Sequence, residues 1–194
     1  MVAMSSLFDW AGGEAAFTRL INAFYDHVEA DELLSPVFPG GVREEHRLHV
    51  IAWWCEVFGG PARYTDELGG YERMLAKHHD LAITPEQRFR FALVMSLAAD
   101  DAKLPEDPEF RSAFMAYVEW GTRLAQHNSQ PGAAVVEHAP VPRWGWVRRP
   151  RFSHSSTQAA WAIQSAQPSQ GSSEHVSAAL PATTQLLTLP GRRL

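Results

Sequence analysis

Cysteine is almost missing from this chain: Cys55 is the one thiol in 194 residues. A single thiol cannot close an intrachain disulfide, build a cysteine-based zinc cluster or hold an iron–sulfur centre, and it fits a reducing, cytoplasmic compartment. No run approaches the roughly 18 uninterrupted apolar residues of a membrane span, so no membrane partner is expected. The opening MVAMSSLFDWAGG lacks a basic stretch ahead of an apolar one, and no secretory leader is expected from it. Alternating β-branched runs with Asn-Gly turns are also lacking, which argues against a sheet. Positive charge is scarce: the net charge is −5, and nucleic acid is not expected as a partner.

What is present divides the chain. From Ser129 onward six arginines stand against two glutamates, so this part carries +4 and residues 1–128 carry −9. Composition changes at the same place, with STQAAWAIQSAQPSQGSSEHVSAALPATTQ rich in Ser, Gln, Ala, Thr and Pro and without a sustained period. The expected organisation is a helical domain over 1–128, an extended segment over 129–146 lying on or near it, and a low-complexity, disordered tail over 147–194. The basic, aromatic PRWGWVRRPRF belongs to that end and is read as solvated.

Residues 1–128 read as all helix. Phe17, Leu20, Ile21, Phe24, Tyr25 and Val28 recur at helical spacing, and DELLSPVFPGG ends that helix. A second helix over about 43–58 carries His46, His49, Val50, Trp53, Trp54, Val57 and Phe58 on one stripe before Gly59-Gly60-Pro61 stops it. ARYTDELGG reads as a looser stretch. Tyr71, Met74, Leu75 and His78 then mark a short helix. Thr84-Pro85-Glu86-Gln87 is a capping box with proline at the first helical position, opening a helix to about 100. The last helix, about 108–127, carries Phe110, Phe114, Tyr117, Val118 and Gly121. Short helices between Gly/Pro breaks suggest packing around something rather than a regular bundle.

Several polar side chains fall on these inward stripes, His46 and His49 on one of them. With Tyr71 set at 0° and about 100° per residue, His78 falls near −20° and His79 near 80°, so His78 is central and His79 marginal. Tyr25 and His46 lie on the other two stripes, and a buried hydroxyl or imidazole needs a partner. Phe38, Trp53, Trp54, Phe58 and Phe91 supply flat apolar surface. One central imidazole opposite a pocket of adjustable polarity is the arrangement haem iron uses, which periodicity permits but does not establish.

The residues resemble a known family at this point. NAFYDHV, SPVFPGG and EVFGGPARYTDELGGYERMLAKHH match, in order, the group II truncated haemoglobins, with the resemblance covering about residues 8–128. WGTRLAQHNSQPGA through VVEHAPVPRWGW is similar to a C-terminal extension of an actinobacterial-type subgroup. The resemblance implies a truncated globin fold around haem b, with His78 as proximal iron ligand and Tyr25 as distal hydrogen-bond donor. It puts His46 at or beside the distal position and Phe38 against the haem face. It puts Tyr64, His49 and Lys77 near the propionates, with Trp53 and Phe91 in the pocket wall. The His78 Nδ1–H is expected to donate to the carbonyl of Met74. The implied ligands are O2, CO or NO, bound by a monomer or homodimer. Peroxidase or NO dioxygenase chemistry would draw electrons from a separate reductase, since no flavin motif is present. One position departs from the family: Phe91 stands where a tryptophan usually donates to the ligand, so faster ligand release is expected.

Two other readings compete. A metal-dependent phosphohydrolase of the HD type would use His46 or His49, His79-Asp80 and Asp100 or Asp101. A helical interaction module would leave the inward histidines and tyrosine purely structural.

Overall fold

Ser6 is the first residue described in this computed structural model, which describes residues 6–134, and it is already a helix cap. Its hydroxyl accepts from Asp9 N while the Asp9 carboxylate accepts from Ser6 N, a closed capping box that starts α1 (Leu7–Ala11). Gly12 follows at φ 107, a backbone region that costs glycine nothing, and turns the chain directly into α2 (Gly13–Ala30). α2 buries the expected stripe: Phe17, Leu20, Ile21, Phe24, Tyr25 and Val28 are all at most 3% exposed.

A short 3-10 turn, Ser35–Val37, leads to α3 (Glu44–Val57), within one residue of the expected span at each end. α4 (Arg63–Leu68) occupies the stretch read as loose. It is too short to show a period, and a tertiary contact specifies it: the buried Glu56 carboxylate accepts from both Thr65 N and the Thr65 hydroxyl in its first turn. Gly69 and Gly70, at φ 85 and 64, then let α5 (Gly70–His78) start with no connecting loop. α6 (Pro85–Asp101) opens on the expected Thr84–Gln87 capping box, and α7 (Pro108–Asn128) closes the set.

α2 packs against both α6 and α3, and α6 against α7. Between them lies an aromatic core in which Phe58 touches Phe17, Trp54, Phe114 and Tyr117 at ring separations of 5.1–5.6 Å. Burying each such ring contributes on the order of 2–3 kcal/mol. Among the described residues there is no strand, and no helix long and apolar enough to cross a membrane.

The segment after His78 is held to the end of α7. Ala82 N donates to Ser129 O at 2.8 Å and Ile83 N to the Ser129 hydroxyl at 2.9 Å, with Ser129 fully buried. These bonds help hold Ala82 at φ 49, where a Cβ costs about 1 kcal/mol. The hydrogen-bonded domain thus runs past residue 128. The expected extension beyond residue 134 and the tail over 147–194 lie outside the described residues.

Candidate functional site

Gly69-Gly70 and the Ser129 contacts bracket α5 and set His78 at its last turn. His78 Nδ1 lies 2.8 Å from the carbonyl oxygen of Met74, one turn earlier, as expected. That carbonyl can only accept, so Nδ1 carries the hydrogen and Nε2 keeps its lone pair. Among the described residues Nε2 has no hydrogen-bond partner, and the ring lines a cavity of about 410 Å³. Burial lowers the His78 pKa, with the Met74 carbonyl opposing it in part, so the ring is neutral at pH 7.

α2 and α3 supply a second polar group to the same cavity. The Tyr25 hydroxyl and His46 Nε2 stand 2.7 Å apart. Phe38 packs against both, with ring centroids 5.6 Å from Tyr25 and 5.5 Å from His46. Burial, followed by the nearby His49, His78 and Arg43, lowers the His46 pKa. Burial pushes the Tyr25 phenol well above its ordinary value, against the pull of Arg47. Both groups are therefore neutral, and the contact has two proton arrangements. Either the phenol donates to Nε2, or Nε2–H donates to the phenol oxygen and leaves the phenol hydrogen free for a third partner.

The remaining expected residues gather here too. Trp53, Tyr64, His49, Lys77 and Phe91 all line the cavity, and Trp53 packs on Tyr64 at 5.2 Å. Phe91 sits 4.5 Å from Phe24, centroid to centroid. Phe58 does not reach the cavity. The stripe on α3 is wide enough to serve two surfaces, and Phe58 lies on the core side with 0% exposure. Sequence reasoning missed Arg43, Arg73 and Arg88, which also line the cavity. Arg88 is buried and paired with Glu119 at 2.7 Å. Its signal was a charged residue three positions before Phe91, inside the apolar stripe of α6.

A family model for bacterial-like globins matches residues 6–121, more than half of the chain. The chain is a bacterial-like globin. A group 2 truncated haemoglobin from Bacillus subtilis is 32% identical over 92 residues, 47% of this chain and 68% of that protein. A group 1 truncated haemoglobin from Nostoc commune is 34% identical over 61 residues, 31% of this chain. The match spans about half (52%) of that curated relative's length. Among solved structures, a haemoglobin from Chloroflexus aurantiacus superposes with a TM-score of 0.55 at 31% identity, covering 62% of this chain and 96% of that one. The group II truncated haemoglobin of Bacillus anthracis gives 0.56 at 26% identity, covering 62% and 89%. The sequence resemblance to group II truncated haemoglobins is therefore sound.

Haem is the cofactor of this globin family, and the cavity residues suit it. The walls are aromatic, the His78 imidazole offers Nε2, and Arg43, Arg73 and Lys77 supply cations for carboxylates. The phosphohydrolase reading finds no support in this globin. His79 pairs with its neighbour Asp80 at 2.8 Å, Asp101 with His27 at 2.6 Å and Asp100 with Arg111 at 2.8 Å. Among the described residues no three His, Cys, Asp or Glu side chains form a group able to hold a metal.

Proposed function

We propose that this globin binds O2 or another small diatomic ligand, CO or NO, at a five-coordinate haem iron held by His78. The observation that carries the reading is the His78 ring: Nδ1 held by the Met74 carbonyl, and Nε2 free on the cavity that the Tyr25–His46 pair also lines. Haem, when bound, would supply an iron able to take a diatomic gas.

The chain's own residues do the rest. The Met74 carbonyl orients the imidazole and raises its donor strength. Phe38, Trp53 and Phe91 exclude water. In the arrangement where His46 Nε2–H donates to the Tyr25 oxygen, the phenol hydrogen turns to the ligand. A net 0.5–1.5 kcal/mol per neutral hydrogen bond sets the scale of this contribution. Tyr64, His49 and Lys77, joined by Arg43 and Arg73, line the cavity and would hold the propionates. A carrier role, a separate reductase for any redox chemistry and a cytoplasmic setting belong to the same proposal.

The test is absorption spectroscopy of the purified chain. The expected result is a Soret band that shifts with CO. His78→Ala is expected to lose tight haem retention and to regain it with added imidazole. An unchanged haem spectrum in His78→Ala overturns the assignment of the axial ligand, and no Soret band after haem addition overturns the function.

A further inference from the structure

Arg47 neighbours His46 on α3 but does not line the cavity. Its side chain is only 11% exposed, which is unusual for an arginine and calls for partners. It has three, all on α2. One guanidinium nitrogen donates to the carbonyl of Asn22 and to Asp26 Oδ1, both at 3.0 Å, and the other donates to Glu29 Oε2 at 3.3 Å. In the chain these acceptors stand three before, one after and four after Tyr25, so they bracket it on the helix. The guanidinium carbon itself lies 5.5 Å from the centroid of the Tyr25 ring. Glu29 extends the grip, because its other oxygen accepts from Val42 N at 2.7 Å in the segment that leads into α3.

We propose that Arg47 is a positioning residue of the ligand pocket, clamping α3 onto α2 at the point where Tyr25 and His46 meet, so that the pair stays hydrogen-bonded and aimed at the cavity. The clamp acts through geometry. Tyr25 and His46 come from different helices and are 21 residues apart, so their 2.7 Å contact requires a set registry between α2 and α3. Arg47 supplies that registry one residue from His46. Its planar fork of five donors reaches three acceptors at once, which a lysine ammonium on a flexible stem does not reproduce. The cation over the ring face adds a second contact that depends on the Tyr25 ring being in place. Its charge also draws the phenol pKa down against the larger effect of burial, which makes the hydroxyl a stronger donor.

This inference rests on the reading of Tyr25 and His46 as the ligand-facing pair, and its test separates the two. Arg47→Met, Arg47→Lys and Tyr25→Phe are compared in the full chain, alone and with Arg47→Met combined with Tyr25→Phe. The first readout is the C–O stretch of the ferrous–CO form together with the CO or O2 off-rate. The second is the 15N shift pair of the His46 imidazole, which reports its tautomer and hydrogen bond and needs no haem signal. Arg47→Met is expected to split or shift the C–O band, raise the off-rate roughly two- to tenfold, about the effect of one neutral hydrogen bond, and make the His46 tautomers exchange. Arg47→Lys is expected to fall between it and the parent. In the Tyr25→Phe background the change in off-rate should be smaller, because only His46 is left for the clamp to position. An equal change in that background, or an unmoved C–O band and His46 signal in a less stable protein, overturns the clamp. If Arg47→Met does not fold, Asp26→Asn with Glu29→Gln loosens the same acceptors and is held to the same outcomes. A parent chain that takes up no haem defeats the proposed function, and the His46 shifts still decide the clamp.

Discussion

Tyr25→Phe removes one oxygen atom and probes the pocket most directly. The lost hydroxyl lies 2.7 Å from His46 Nε2 on a side chain 3% exposed. Two costs follow. His46 is left without its partner, but it is only half-buried, so water replaces part of the bond and the stability loss stays near 1 kcal/mol, the low end for an orphaned polar group. For a domain of this size that lowers Tm by about 3–5 °C. A ligand in the cavity loses one neutral donor, about 0.5–1.5 kcal/mol, which raises its off-rate roughly two- to tenfold. The partner relation adds a signature: once the phenol is gone, His46 Nε2–H is free to donate to the ligand. His46→Leu should therefore change the off-rate differently in the parent and in the Tyr25→Phe background, with a coupling of about 0.5–1.5 kcal/mol. Stopped-flow displacement of O2 or CO measures all four proteins. An unchanged off-rate in Tyr25→Phe, or strictly additive effects in the double variant, refutes the reasoning.

Three further outcomes are expected. Phe91→Trp adds an indole donor to the cavity wall and should slow O2 release roughly two- to tenfold relative to the parent; release as fast as the parent's counts against the role given to this position. Both His46 and His78 have pKa values lowered below the ordinary 6.5, so the unfolded chain binds more protons in acid. In the haem-free chain their contribution to stability is complete above pH ~6.5 and is lost as pH falls through the lowered folded values, with a slope of at most about 2.7 kcal/mol per pH unit for the two groups. Urea midpoints at a series of pH values check this, and His46→Gln should reduce the slope, whereas a slope equal to the parent's would exclude His46 as a contributor. Glu56→Ala should cost about 1–2 kcal/mol by removing the charged acceptor of Thr65 N and its hydroxyl, which water replaces only in part on the exposed Thr65, with Glu56→Gln recovering part; denaturant unfolding reads both, and a loss under about 0.5 kcal/mol would show that α4 does not depend on this carboxylate.

What was legible in the sequence lay within single helices. The capping box at Thr84–Gln87, the stripe on α2 and the central position of His78 all follow from spacing along one backbone. So does the bond from His78 Nδ1 to Met74, because residues four apart face each other on a helix. Local periodicity also separated His78 from His79, which the structure leaves exposed and paired to Asp80.

Relations between helices were beyond that reach. Periodicity placed Tyr25 and His46 on inward stripes and left open whether they touch; the packing of α2 on α3 brings them to 2.7 Å. Nothing in helical spacing shows that Arg47 or Arg88 is buried, since an arginine is almost always exposed unless acceptors from another element await it. Those acceptors, Asn22, Asp26 and Glu29 for one and Glu119 for the other, exist only once the helices are packed. Phe58 moved from the cavity to the core for a similar reason, since a wide stripe names what is buried without saying against which neighbour. The sequence by itself therefore determined the helices that carry an apolar period and the direction of His78, through contacts a few residues apart, but not α1 or α4. The tertiary structure alone decided which polar side chains meet, because hydrogen bonds between helices depend on a registry that no single helix encodes.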